Sequence, residues 1–432
     1  MSDLTQMAPS MLAPLLLQFR ERYQRMCALR PQLNMARGIP AAEQVALSNA
    51  MLSLPGEGDY LAEGGIDCRN YTGLQGLVEA RRLFSGVVGV PAEQMIVGGN
   101  SSLAFMYDCI GYAWRHGMSD SERPWGKEEH VSFLCPVPGY DRHFRICDEY
   151  GIRLVPVPLL GNGPDMDIVR DLVARDPSVK GIWCVPRYSN PTGAIYAEEI
   201  IEALASMPTA APDFRLFWDD AYAVHHLTEE QVQIANIVEL CKQHGHPNRA
   251  LVFASTSKVT FAGAGIALFG SSPGNVSWLL ERMSIHTVGP DKLNQLRHVR
   301  FLKDEQGIRR LMDGHRAILA PKFAQVQAIF ERELDGRGIA QWSKPKGGYF
   351  ISLDVLAGCA TRVFQLAKEA GITLTTPGAA FPGGRDPNDS NIRIAPSSLT
   401  VDHVGTAAEA IAQCVLLATT EALLDRATGQ ER

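Results

Sequence analysis

The 432 residues carry a net charge of −6, with 46% hydrophobic and 20% charged residues, a balance that excludes an intrinsically disordered chain. No basic stripe is present, which argues against nucleic acid as a partner. The nine cysteines are odd in number, widely spaced and free of any CxxC pair, so they read as free thiols in a reducing compartment, and a cytoplasmic location is expected.

The chain opens with an apolar run at residues 11–17 that is too short to span a membrane. Continued through Phe19, Tyr23 and Met26, it predicts a packing helix. Seven short runs rich in β-branched and aromatic residues follow, at 95–97, 131–135, 153–157, 181–185, 214–218, 251–254 and 266–269. They lack polar alternation, as strands buried on both faces do. Helix-like stretches at 102–113, 167–175 and 197–206 fall between them, which predicts an α/β fold with a mostly parallel, helix-covered sheet. Residues 115–130 are charged and polar and read as a surface loop. Beyond 269 the texture changes. A long helix over 306–334 is interrupted by Pro321, a strand pattern occupies 347–353, a helix 360–370, a strand 392–394 and an amphipathic helix 402–425. The expected organisation is a large domain at 53–315 and a smaller α/β domain built from 1–52 and 316–432.

In open parallel sheets, ligands bind beyond the carboxyl ends of the strands. Five predicted strands end in polar segments: Gly98-Gly-Asn-Ser-Ser102, Pro136-Val-Pro-Gly-Tyr140, Pro186-Arg-Tyr-Ser-Asn-Pro-Thr-Gly193, Asp219-Asp-Ala-Tyr222 and Ser255-Thr-Ser-Lys258. One edge thereby receives glycines, hydroxyls, an amide, an acid, two tyrosines and a lysine. Pyridoxal 5'-phosphate needs such groups: a lysine for an imine, a carboxylate for the ring nitrogen, donors for the phosphate and phenolic oxygen, and a flat partner for the ring.

The ordered set Asn190-Pro-Thr-Gly193, Asp219-x-x-Tyr222 and Ser255-x-x-Lys258 resembles the fold-type I aminotransferases of class I/II. More narrowly it is similar to the branch related to the aminotransferase half of MocR regulators, over about residues 33–399. The resemblance implies a PLP-transferase-like fold, with a seven-stranded, mostly parallel sheet in the large domain. It also implies pyridoxal phosphate as cofactor, an L-amino acid and a 2-oxo acid as substrates, and a homodimer with shared active sites. Lys258 matches the lysine that carries the cofactor and moves the proton. Asp219 matches the partner of the ring nitrogen, Asn190 and Tyr222 the pair on the phenolic oxygen, and Tyr140 the stacked aromatic. Gly99, Asn100 and Ser101 match the phosphate cup at a helix start, and Ser255 adds a hydroxyl. Tyr71 matches a tyrosine reaching the phosphate of the neighbouring subunit. Arg393 matches the arginine that grips the substrate carboxylate, and Gly38 a backbone position beside the substrate. Most relatives place a phosphate-binding arginine eight residues after the lysine; here that position is Ile266, and Ser257 or Thr260 is the expected substitute.

Arg37, before Gly38, is expected at the substrate mouth, and Lys292 lies where relatives bring a basic group from the other subunit. Two cations there would favour a dicarboxylic amino acid such as aspartate or glutamate. The readings set against a transaminase are a pyridoxal-phosphate-binding sensor without turnover, a pyridoxal-phosphate lyase and a serine acyl-enzyme. The last has its S-x-x-K at Ser255–Lys258, but Tyr188-x-Asn190 precedes it where that class places Y-x-N after it, and no K-T-G follows. His225-His226 and His244-x-His246 lack acids or cysteines at ligand spacing, so no metal site is expected.

Overall fold

The computed structural model describes residues 2–29, 31–71 and 73–429. All seven apolar runs form strands, joined by a two-residue addition at one edge. In chain order they are β1 (Met95–Val97), β2 (Ser132–Val137), β3 (Arg153–Leu160), β4 (Gly163–Pro164), β5 (Val179–Cys184), β6 (Arg215–Asp219), β7 (Ala250–Ser255) and β8 (Ala267–Gly270). They make one sheet in the order β1-β8-β7-β6-β5-β2-β3-β4. The five strands from β7 to β3 run parallel, β8 is antiparallel to both its neighbours, and β4 is a short antiparallel edge.

Successive strand residues point to opposite faces, and each face has its own core. Leu134, Ile182, Leu216, Val252 and Leu268 pack on one side with the helix Val78–Val88. Phe133, Trp183, Phe217, Phe253 and Phe269 line up on the other. Their rings follow one another across the sheet at centroid spacings of 5.4 Å (Phe133–Phe217), 5.7 Å (Phe217–Phe253) and 5.6 Å (Phe253–Phe269). Burial on both faces explains why the runs show no polar alternation.

A separate core joins the two ends of the chain. The helices Pro9–Leu29, Glu305–Leu334 and Val401–Thr428 pack around an antiparallel sheet of Ala340–Trp342, Ile351–Val355 and Asn391–Ile394. Leu33–Asn34 pairs parallel with Ile372–Thr373 and brings Arg37 and Gly38 toward the large sheet.

Four expectations need correction. The helix over 306–334 is not interrupted at Pro321; it runs unbroken from Glu305 to Leu334. Packing against the C-terminal helix outweighs the roughly 3 kcal/mol that an interior proline costs. The strand predicted at 347–353 begins only at Ile351, because Gly347 and Gly348 are pressed against Tyr188. The final helix is not amphipathic along its length: almost every residue between Val404 and Thr420 is buried. It is long and apolar enough to cross a membrane, yet 72% of its apolar window lies inside the protein, as befits a core helix. The stretch 115–130 is not wholly surface loop, since Trp125 is buried and donates to Asp213 at 2.8 Å. All nine cysteines are free thiols, eight of them buried.

Candidate active site

Lys258 sits just past β7 in a loop that is tied down from below. The N–H groups of Val259 and Thr260 both donate to the Thr256 carbonyl at 2.9 Å. Thr256 Oγ1 accepts the Ile266 N–H at 2.9 Å, and the hydroxyls of Thr256 and Thr260 face His298 Nε2 at 3.1 and 2.9 Å. The lysine is thereby aimed across the Tyr222 ring, with Nζ 5.1 Å from its centroid. Burial lowers the ammonium pKa below the ordinary lysine range, against the opposing charge of Asp219.

Asp219 ends β6 and is buried. Its Oδ2 lies 3.0 Å from His143 Nε2, and the His143 ring stacks on Trp183 at 4.3 Å with planes 7° apart. Its Oδ1 is buried with no hydrogen-bond partner among the described residues. A buried carboxylate oxygen without a donor is costly, and an N–H donor in the adjacent cavity is what it lacks.

That cavity measures about 580 Å³. Lys258, Asp219, Tyr222, Asn190 and Tyr140 line it together with Arg37, Gly38 and Arg393. Arg393 Nη1 faces Asn190 Oδ1 at 3.4 Å and Asp141 Oδ1 at 3.5 Å, while its Nε is buried without a partner. With Asn190 Oδ1 turned to the guanidinium, the Asn190 amide nitrogen is left to donate elsewhere. Burial pushes the Tyr222 hydroxyl well above its ordinary pKa and, with Asp219 nearby, the Tyr140 hydroxyl up to about 12. Both remain protonated donors at neutral pH. A Cβ at Gly38 would lie 2.4 Å from the Phe350 ring, so only glycine lets these two segments meet.

The remaining end of the cavity is lined by Ser101, Ser255 and Ser257. Ser101 is the N-cap of the helix Ser102–His116, whose first N–H groups suit an anion. The preceding loop is held in place by the Ala267 N–H donating to the Gly99 carbonyl at 2.6 Å and by Asn100 Nδ2 donating to the Gly263 carbonyl at 3.3 Å. Ser257 Oγ lies 3.2 Å from both Ser255 Oγ and the Asn100 carbonyl. Ser257 is therefore in position to replace the missing arginine. Thr260 is not: it is buried and engaged with Thr256 and His298. Ile266 is itself core, 1% exposed.

Four expected residues are not among those lining this cavity, and Gly99 and Asn100, in the loop before Ser101, are two of them. Tyr71 stands on the surface, 77% exposed, and Lys292 is 4% exposed at the first turn of the helix Lys292–Leu302. Two others were missed in the sequence. His143 comes three residues after Tyr140, on the same face of the helix Asp141–Glu149, but a lone histidine carries no signal before the helix is placed. Arg142 lines the mouth beside Tyr140.

The family model for aspartate aminotransferase matches residues 7–427. The chain belongs to this family. An aspartate aminotransferase of Corynebacterium glutamicum is 48% identical over 390 residues, 90% of each protein. The crystal structure of an aspartate transaminase from the same species superposes with a TM-score of 0.96 at 45% identity, covering 98% of this chain and 99% of that one. The fold is also shared, at TM-score 0.72 and 21% identity, by an α-aminoadipate aminotransferase from Thermus thermophilus solved with N-(5'-phosphopyridoxyl)-L-leucine. The match covers 91% of this chain and 94% of that one. The chain is thus a pyridoxal-phosphate-dependent aminotransferase acting on an amino acid and a 2-oxo acid.

The residues of this aminotransferase fit that cofactor. Asp219 Oδ1 would receive the ring N–H, Asn190 and Tyr222 would hold the phenolic oxygen, and the Ser101 helix start with Ser255 and Ser257 would hold the phosphate. When bound, the cofactor supplies an electron-poor ring that stabilises negative charge at the substrate Cα. Arg393, whose Nε has no partner among the described residues, would grip a carboxylate through its guanidinium and so orient the substrate. The Lys258 amine, whose pKa burial lowers, would move the proton at the substrate Cα as base and acid. His143 lies against Asp219 and would hold it in line.

Proposed function

We propose that the amino acid taken by this transaminase is dicarboxylic, an L-aspartate or L-glutamate. The observation that carries the reading is the placing of Arg37 and Arg142 on the wall that also holds Arg393. Arg393 serves the α-carboxylate, so the further cations face the far end of the substrate. Lys292, buried outside the cavity, plays no part in this reading. The near relative is named for aspartate, which agrees with it. The test is to compare kcat/KM for aspartate, glutamate, kynurenine and phenylalanine in wild type and in Arg37→Ala and Arg142→Ala. Loss of one charge-assisted contact predicts a fall of about tenfold for the two acids, with little change for phenylalanine. Unchanged discrimination in both variants would overturn the reading.

The active unit is read as a homodimer in the cytoplasm. Tyr71 supports the dimer, since an exposed tyrosine has no role inside its own subunit. Free thiols throughout the fold suit a reducing compartment.

A further inference from the structure

A second cavity, of about 540 Å³, shares no lining residue with the first, yet Arg187 and Ala223 in its lining come from the segments that carry Asn190 and Asp219. Its size falls within the roughly 300–1,000 Å³ of small-molecule sites. The floor is apolar, with Leu83 and Val87 from the helix Val78–Val88 and Ile308 and Met312 from the helix Glu305–Leu334. The inner wall is basic: Arg187 and Arg316 flank His226. Burial, then the charges of these two arginines, hold the His226 imidazole down to about 4, so at neutral pH the histidine adds no charge to theirs.

Most carboxylate oxygens on the walls are already engaged, while Glu79 Oε2 is buried without a partner among the described residues. Asp304 Oδ1 caps its helix through the Gly307 N–H at 2.7 Å, and Glu305 Oε1 accepts from Arg309 at 2.6 Å. Asp313 Oδ1 lies 3.1 Å from Arg316, and Glu79 Oε1 accepts the Glu63 N–H at 2.9 Å. Arg187 is bound to Asp220 by both carboxylate oxygens, and Asp220 is the residue after Asp219. Tyr188 bonds His226 Nδ1 at 2.6 Å, and His225 Nε2 lies 3.2 Å from the Lys258 carbonyl. The basic wall is therefore one residue away from each of two cofactor-site segments.

We propose that this cavity binds an organic carboxylate with an apolar body, and that its occupancy is felt at Asp219 through the Arg187–Asp220 pair. The carboxylate meets Arg187 and Arg316, and the body covers Leu83, Val87, Ile308 and Met312. A ligand carboxylate that draws on Arg187 leaves Asp220 less neutralised. The potential around Asp219 becomes more negative, and protons bound nearby are held more tightly.

The probe is 4-fluorobenzoate, followed by fluorine NMR on the holoenzyme. Gly86 lies on the cavity wall, and a Cβ there meets no atom within 4 Å. Gly86→Phe therefore fills the second cavity without touching the first. The expected result is a saturable site in wild type that Gly86→Phe abolishes and Arg316→Gln weakens about tenfold, the loss of one charge-assisted contact. The probe should also raise the pH midpoint of the cofactor's visible absorbance in wild type and leave Gly86→Phe unmoved. If Gly86→Phe fails to fold, Arg316→Gln decides by itself. Binding that both variants leave intact belongs to the substrate cavity and overturns the site. A midpoint that does not move on saturation overturns the coupling.

Discussion

At Asp219 the two oxygens of one side chain have different fates, and the difference defines the site. Oδ2 is satisfied by His143, and Oδ1 has no donor among the described residues. Removing the imidazole in His143→Ala strips the satisfied oxygen of its partner as well. Loss of that contact predicts a kcat about ten- to a hundredfold lower, with KM much less affected. A KM effect alone would place His143 in packing only. Lys258 gives a prediction of opposite kind. Its folded pKa is lowered, so in the window between the folded and unfolded values the unfolded chain binds the extra proton, and stability rises with pH. Apoenzyme carrying Lys258→Met is therefore expected to melt above wild-type apoenzyme at neutral pH. The gap should close as pH approaches about 10.4, the unfolded value. A gap independent of pH would mean that the lysine is not held below its ordinary range.

Among the elements, those built on simple periodicity could be read from the sequence. β1 to β3 and β5 to β8 were visible because both faces are buried, which leaves uninterrupted apolar runs. The polar segments after them were visible because strand ends in such sheets deliver ligand groups. What the sequence concealed depends on contacts far along the chain. His143 acquires meaning only when β6 places Asp219 beside its helix. Trp125 looked like loop because its neighbours are charged and mostly exposed, yet its own ring turns inward. Asp213 receives Trp125 Nε1 at 2.8 Å and Lys180 Nζ at 2.8 Å. Asp213→Ala would leave the buried Lys180 ammonium only the more distant Glu128, at 3.5 Å, and a loss of about 3 kcal/mol is expected in chemical denaturation. A loss below about 1 kcal/mol would show that water reaches Lys180.

For the whole molecule, the open question in the sequence was what lies across from each subunit's cavity. Tyr71 faces solvent in the single chain, and its reading requires a second copy. A mixture of Lys258→Ala and Tyr71→Ala subunits tests this directly. If Tyr71 serves the neighbour, each mixed dimer contains one site with both defects and one with neither. At limiting cofactor the mixture should exceed either variant, reaching about a quarter of wild-type activity when exchange is complete and symmetric. Activity no higher than the mean of the two variants would assign Tyr71 to its own subunit.

The stack of His143 on Trp183 also gives the protein a built-in optical gauge. An indole one imidazole away from the ring-nitrogen carboxylate shares its excited state with whatever arrives at Asp219. Emission from Trp183 should dim as the coenzyme loads and recover as it leaves, so loading can be timed by fluorescence without any substrate present.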